Sequence, residues 1–508
     1  MKEDEKIEAY LSSVRPVGSV LTALLAQRGV RVIALEKEIE PYPLPRAVHF
    51  DHEIMRIFQQ LGVADEVRRH ARDVPDYEFR TADGRLLMNV RPPRETPSGR
   101  GGGYMFHQPT LEAVLRERLA GLPSADIRLG CRLDALVQDA DGVTARATTP
   151  TGARAFRTRY LVGCDGASSP VREAIGGGLF DYQFDEPWLV VDVKVGAGCC
   201  VPNVNIQLCD PARPTTCVLS GLGRHRWEFM LLPGETPEAM MDDAVVLDLI
   251  RPWDCGPVEI ERKAVYRFHG LVANRWRAAR MLIAGDAAHQ TPPFAGQGMC
   301  AGIRDAANLA WKLDAVLGGA AADALLDTYQ AEREPHVRAA IELAIGMGRV
   351  VCTLDPKAAA LRDAAMLAAR ATGASPLPPM RPTPFTTGCV MAGSPGAGAL
   401  FPQPTAGEGA ARLRLDDRLG DEAWLIARAR VGGTANRVRL VGLDAEELAP
   451  FRPALQAWLD QHRAEAVLVR PDRYVFGTGE PSSLLNAWAE SQSPAAPAHA
   501  PRASAEVR

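Results

Sequence analysis

The sequence predicts an α/β protein: a parallel sheet, a mostly antiparallel sheet inserted into it, and a smaller α/β unit near the C-terminus. Three observations carry this expectation. A helical stripe from Val17 to about Arg28, with Val20, Leu21, Leu24 and Leu25 on one side, runs through Gly29 into a short apolar strand, Val30 to Leu35, which is half of a βαβ unit. Apolar strands recur at YLVG (160–163) and MLIAG (281–285), and each runs directly into a Gly/Asp turn and then a helix. Between these two strands lie short segments punctuated by Pro and Gly, the pattern of an antiparallel sheet.

Composition sets the frame. At roughly 150 residues per domain, 508 residues point to about three domains. A hydrophobic fraction of 46% with 24% charged residues excludes a disordered, collagen-like or coiled-coil chain. Lys+Arg 58 against Asp+Glu 62 leaves a net charge of −4, so neither a nucleic acid nor an anionic membrane surface is expected as a partner, and a small molecule is. No apolar run approaches the roughly 20 residues a bilayer demands, and the start, MKEDEKIEAY, is acidic where a secretory signal is basic, so the expected location is cytoplasmic. The ten cysteines show no CxxC pair and no Cys/His spacing, so neither a disulfide framework nor a metal site is expected. Adjacent Cys199 and Cys200 in a Gly-rich turn read as incidental.

In chain order, GRGGG (99–103) is a loop before FHQPTLEAVLRERL, a helix with Leu111, Val114, Leu115 and Leu119 inward. Residues 125–163 alternate as strands around DADG and PTGA turns. WLVVDVKV, NVNIQL, RWEFMLLP and AVYRFHG supply the inserted sheet. After MLIAG the chain reads as long helices to about Ala371, then as a Pro/Gly/Thr-rich linker. WLIARA, RVRLVGL and AEAVLVRP surround a helix near Pro450 to Gln461, and the Ala/Pro/Ser-rich end reads as a frayed tail. The expected divisions are 1–179 and 276–371 for the two parts of the first domain, 180–275 for the inserted sheet, 372–410 for the linker, 411–490 for the last unit and 491–508 for a disordered tail.

Two motifs carry chemistry. In RMLIAGDAAHQTPPFAGQGMCAGIRDAANLAWKL a strand ends at Gly285-Asp286, a Pro-Pro turn follows, and Gly296-Gln297-Gly298 opens a helix whose unpaired amides suit an anionic or electron-rich ring edge. Asp286, at a strand's carboxyl end, can accept from a polyol hydroxyl. In YLVGCDGASSPVREAIG a strand ends at Asp165-Gly166, and Ser169 to Arg172 starts a helix.

These motifs, in this order and about 120 residues apart, resemble the flavoprotein aromatic hydroxylases of the p-hydroxybenzoate hydroxylase fold. The resemblance implies an FAD-binding Rossmann-like parallel sheet, an inserted substrate sheet and a C-terminal thioredoxin-like domain, here without CxxC. It implies FAD contacts from Gly18, Glu36, Arg46, Gln108, Asp165, Gly166, Asp286, Gly296, Gly298 and Met299, with Glu36 on the adenosine ribose and Asp286 on the ribityl chain. PRAVHFDHEIMRIFQQLG, WLVVD, RWEFMLLPGE and YRFHGLVANRW look most like the members that act on 3-(3-hydroxyphenyl)propionate or 3-hydroxycinnamate. The activity implied is ortho-hydroxylation of such a phenolic acid to a catechol, with NADH or NADPH and dioxygen as co-substrates. The resemblance is compatible with a homodimer.

The chain departs from the family at its front, where GxGxxG is replaced by Ser13-Val14-Arg15-Pro16-Val17-Gly18, so that only the third glycine is kept. EDEKIEAYLS, just before it, lacks the look of a buried parallel strand. Three accounts fit: an altered start of the coding region, a variant that binds FAD weakly, or a flavin-deficient paralogue serving as a binding protein; intact downstream motifs favour the first two. A related hydroxylase of another phenol or a polyketide is a further alternative.

The cofactor supplies most of the chemistry, so catalytic side chains are weakly marked. His289, Pro292 and Pro293 sit on the loop expected beside the flavin, and Tyr266, Phe268 and Trp188 are candidates for the ring pocket; of these His289, Pro293 and Tyr266 are taken as the catalytic set. His49 and His52 are placed near the flavin. Arg213, Arg226 and Arg267 are candidates for a substrate carboxylate, because guanidinium binds it bidentately.

Overall fold

The computed structural model describes residues 7–40, 43–196, 198–374, 383–409 and 412–493. The expected tail, from 494 onward, lies outside the described residues. Along the chain run β1 (Ile7–Leu11), α1 (Pro16–Gln27), β2 (Val32–Glu36), the hairpin β3 (Tyr77–Thr81) and β4 (Leu86–Val90), α2 (Gln108–Ala120), β5 (Ala125–Leu129) and β6 (Gly152–Gly163). Next come β7 (Leu179–Val195), β8 (Asn205–Cys209), β9 (Thr215–Leu219), β10 (Arg224–Met230), β11 (Val258–Ala273), β12 (Met281–Ile283), α3 (Gly298–Leu317) and α4 (Thr328–Val351). The C-terminal unit holds β13 (Ala423–Ala427), β14 (Val438–Gly442), β15 (Ala466–Val469) and β16 (Val475–Gly479).

The first sheet has the order β12-β6-β1-β2-β5, and its parallel neighbours enclose β1, with Tyr10 opposite Leu161 on one side and Ile33 on the other. Here the structure corrects the sequence expectation. The segment that looked too polar for a buried strand is the central one, and Ala9, Tyr10 and Leu11 are fully buried. Its one described charged residue, Glu8, is half-buried at the strand's start, and the three consecutive apolar positions after it occupy the interior.

The second sheet runs β11-β7-β10-β9-β8-β3-β4, with a short strand at His289–Gln290 on its other edge. It is larger than the inserted segment alone, because the hairpin β3–β4 joins it through parallel pairing of β3 with β8. Strand alternation gives the sheet two faces. Leu189, Val191, Trp227 and Phe229 point to one side, where they form an apolar cluster with Val246 and Ile250 of a flanking helix. Trp188, Val190, Asp192, Arg226, Glu228, Met230, Arg262 and Tyr266 occupy the other, by their pairing across β7, β10 and β11. This second face is turned to the first domain.

The C-terminal unit has the order β14-β13-β15-β16 in a thioredoxin-like arrangement with its own core around Trp424, Leu448 and Phe451. The segment read as a linker is packed where it is described: Phe385, Cys389, Phe401 and Gln403 are buried, and Gln403 Nε2 donates to Ser98 O at 2.7 Å. Buried charges tie this unit to the helices of the first domain. Arg470 pairs with Glu332 of α4 at 2.7 Å and Arg56 pairs with Asp416 at 2.7 Å. Tyr474 donates its hydroxyl to Glu53 at 2.7 Å, and Glu53 in turn accepts from Arg304 of α3 at 2.6 Å.

Candidate active site

The turn between β1 and α1 is short and crowded. A Cβ on Gly18 would stand 1.9 Å from Ser13 O, so the glycine kept from the fingerprint is the one that lets helix and strand touch. The helix opens with Pro16 at its start and no acidic residue in its first turn, which leaves its amide donors for an anion. At the first fingerprint position, Ser13 Oγ donates to Glu36 Oε2 at 2.9 Å, and Val14 N donates to the same oxygen at 3.2 Å. Glu38 N donates to Glu36 Oε1 at 3.3 Å. Glu36, expected on a ribose, is thus placed at the end of β2 but is already occupied by the altered turn.

The Asp165-Gly166 loop follows β6. Asp165 is half-buried, desolvation pushes its carboxyl above the usual carboxylate range, and its Oδ1 has no partner among the described residues. Gly166 has φ +81°, which keeps the loop free of a side chain. The Gly285-Asp286 loop after β12 lies beside α1. Its Asp286 side chain is exposed and accepts no hydrogen bond among the described residues, as a ligand-facing acceptor would.

Behind that loop sits a buried ion cluster. Asp305 of α3 accepts from Gly285 N at 3.1 Å and from Arg333 Nε at 2.9 Å, and its Oδ2 lies 2.6 Å from His289 Nε2. His289 is 1% exposed, so it reaches no substrate in this arrangement. Its placement is that of a residue that positions the loop. Pro293 is exposed and Pro292 buried, on the turn before Gly296.

Gly296 has φ +62°, and a Cβ there would come 3.0 Å from His49 Nδ1. His49 Nδ1 lies 3.3 Å from Gly296 O, and burial pushes its pKa down. His52 instead faces Ser98 Oγ at 2.9 Å. The helix start at Gly298 has no side-chain cap, and Met299 beside it is half-buried.

Arg46 is exposed, but its backbone is held from three directions. Gln108 Oε1 accepts from Ala47 N at 2.8 Å, Arg226 Nη1 donates to Arg46 O at 2.7 Å, and Arg262 donates to Pro45 O. Gln108 Nε2 donates to Glu112 at 2.7 Å, so in this structure the Gln108 side chain serves the loop.

Facing these loops, the second sheet presents an aromatic wall. Trp188 stacks on Phe268 at 5.9 Å, and both meet Phe294 edge-on at 5.6 and 5.8 Å. Tyr266 stands opposite Trp188 on the neighbouring strand, with the Arg262 guanidinium 5.0 Å over its ring. Beside the wall runs a polar row: Tyr77 Oη donates to Phe294 O at 3.1 Å, Gln207 Nε2 bonds Tyr77 Oη, and Thr216 Oγ1 donates to Gln207 Oε1 at 2.7 Å.

None of the three arginines offered for a carboxylate stands ready for one. Arg213 is bidentate with Glu235 at 2.7 and 2.6 Å. Arg226 is bidentate with Asp192 at 2.7 and 3.0 Å, and Arg267 pairs with Asp185 at 2.8 Å on the outside. An ionisable group on the pocket face was missed from sequence: Glu228, on β10 opposite Thr216 and Val190. The signal was available. An acid inside the apolar run RWEFMLL, two residues from Arg226, shares that arginine's face.

Comparison with known proteins agrees with this geometry. A family model described as FAD binding domain matches residues 15–344, and one described as HcaD C-terminal domain matches 442–493. A protein of Rhodococcus jostii named "Probable NADH-specific resorcinol 4-hydroxylase" is 39% identical over 92% of this chain and 91% of its own length. A 3-(3-hydroxy-phenyl)propionate/3-hydroxycinnamic acid hydroxylase of Mycolicibacterium smegmatis is 33% identical over 94% of this chain and 91% of its own. Among solved structures, the flavin-dependent monooxygenase PieE in complex with FAD and substrate superposes with a TM-score of 0.81 at 22% identity, covering 96% of this chain and 99% of that one.

Proposed function

The chain belongs to the FAD-dependent aromatic hydroxylases, and from that premise we propose that its substrate is a neutral dihydric phenol of the resorcinol type. The observation that carries this is the state of the pocket face. Its arginines are committed to Asp192 and to the backbone of Pro45 and Arg46, while Glu228 has only a 3.7 Å contact with Arg226, and Glu186, opposite Phe268 on the same face, has no ion pair among the described residues. A carboxylate substrate would meet Glu228 as a like charge, whereas a second ring hydroxyl can donate to it. The Rhodococcus relative named for resorcinol supports the same choice.

Bound FAD, reduced by a nicotinamide dinucleotide, supplies dioxygen activation and transfer of one oxygen atom. The residues present fit it: the close β1–α1 approach at Gly18, the capless start of α3, the unpaired Asp165 Oδ1 and the exposed Asp286. Arg226, Arg262 and Gln108 hold the Pro45–Ala47 loop, and the Trp188, Phe268 and Phe294 wall orients the ring and excludes water. Replacing Asp286 with alanine is expected to lower FAD content after gel filtration while leaving the circular dichroism spectrum unchanged, because an acceptor is lost and no internal bond is broken.

A second reading, hydroxylation of 3-(3-hydroxyphenyl)propionate, is favoured by the relatives named for that acid at 33% and 35% identity. Steady-state NADH oxidation on both compounds separates the two. Resorcinol is expected to exceed the acid in kcat/KM by at least about tenfold, equivalent to ~1.4 kcal/mol. The reverse order would establish the second reading.

A further inference from the structure

Resting on the reading of a phenolic substrate, we propose that Glu228 is the proton acceptor for the substrate's ring hydroxyl. The position is set by the sheet. Glu228 pairs with Thr216 on β9 and with Val190 on β7, so its side chain shares the face of Trp188, Arg226 and Tyr266 that looks toward the Pro45–Arg46 and Phe294 loops.

Its surroundings are those of an acid held for a ligand. Glu228 is 6% exposed, and among the described residues no side chain donates a hydrogen bond to it. Arg226 Nη1 stands at 3.7 Å, a long ion pair, while the rest of that guanidinium is bonded to Asp192 and to the Pro45 and Arg46 carbonyls. A buried carboxyl left in this state is costly unless something at the site completes it. The charged and titratable groups facing it are Arg226 on its own strand, Asp192 on β7, Arg262 on β11 and Tyr77 on β3. Burial raises the Glu228 pKa to about 7, Asp192 adds to the rise, and the two arginines oppose it. An acceptor tuned near neutrality matches a phenol proton at working pH.

The step is balanced. The hydroxyl O–H bond breaks and a Glu228 carboxyl O–H bond forms, which raises the electron density of the ring carbons ortho and para to the oxygen. One of these carbons takes a single oxygen atom from dioxygen, and its C–H proton passes in net terms to that oxygen as the ring regains aromaticity. The other oxygen atom leaves as water, completed by the hydride equivalent of the nicotinamide and one proton from solvent. Glu228 then returns its proton to the ring oxygen. Gln207, Thr216 and Tyr77, linked to Phe294 O, line the floor beside it and donate or accept only neutral bonds.

The test uses the FAD-loaded enzyme and Glu228→Gln, a near-isosteric change. In E228Q, NADH should still reduce the flavin in the presence of phenol, with product formed per NADH falling about 100-fold or more. In the parent, product yield should rise as pH passes through about 7, where Glu228 ionises. In E228Q that rise should be absent. A parent-like yield and pH profile in E228Q would overturn the proposal. An independent arm needs no variant: a chlorinated resorcinol acidic enough to bind already ionised should show no rise near neutrality in the parent, and persistence of the rise would also overturn it. If resorcinol fails in the parent while another phenol is hydroxylated, the substrate reading fails, and the same comparison on that phenol still decides the role of Glu228.

Discussion

Replacing Asp305 with alanine is expected to destabilise the first domain by about 3–5 kcal/mol and to empty it of FAD. Asp305 is fully buried and is the shared partner of Arg333 and His289, both themselves nearly sealed from water. Its loss strands the Arg333 guanidinium without a carboxylate in the interior and removes the acceptor of Gly285 N, the amide that shapes the Gly285-Asp286 loop. Burial alone would raise the Asp305 pKa, but His289 and Arg333 hold it below the ordinary carboxylate value. A depressed folded value means that this stabilisation is fully present above the unfolded pKa of about 3.9 and disappears as pH falls through the lower, folded one. Asp305→Asn, which keeps an acceptor but no charge, should fall between parent and alanine. Urea unfolding followed by tryptophan fluorescence, with flavin absorbance after gel filtration, measures both effects. A midpoint and flavin content equal to the parent's in Asp305→Ala would show that the cluster does not hold the loop.

The second large effect lies at the altered fingerprint. Changing Ser13 and Arg15 together to glycine is expected to tighten FAD binding by tens-fold or more, each tenfold being ~1.4 kcal/mol. The structure gives the reason. Ser13 Oγ and Val14 N occupy one oxygen of Glu36, so the adenosine ribose has to compete for it, and Arg15 puts a side chain where a pyrophosphate approaches the backbone. The gain is offset in part by loss of the Arg15 N to Ser13 Oγ bond and by the extra chain entropy of two glycines, about 0.5–1 kcal/mol each. Because β1 is formed and buried, no replacement of the strand is needed. Titration of FAD into the two apoproteins, read by flavin fluorescence, gives the ratio of dissociation constants. Equal affinity would mean that Ser13 and Arg15 are accommodated without cost.

How far the sequence could be read follows from where each interaction is encoded. The Asp165-Gly166 and Gly285-Asp286 loops and the Gly298 helix start were legible because strand, turn and helix follow one another within a few residues. β1 was not, since the charged residues beside it obscure Ala9, Tyr10 and Leu11, whose burial depends on β6 and β2 arriving from elsewhere in the chain. The partners of the arginines were hidden for a similar reason. Arg226 meets Asp192 34 residues away and Arg213 meets Glu235 22 residues away, pairings that only the folded sheet creates. His289 looked like a loop histidine until α3 and α4 brought Asp305 and Arg333 beneath it. Glu228 could have been found by asking which side of the strand its alternation selects.

Oxygenation of a neutral phenol at this site is tested most directly by one measurement. The FAD-loaded protein is given resorcinol, NADH and 18O-labelled dioxygen, and the organic product is analysed by mass spectrometry. One labelled oxygen atom per product molecule, in a trihydroxybenzene formed in step with NADH consumed, is the result expected. NADH consumption unaffected by resorcinol, or a product carrying no label, would contradict it.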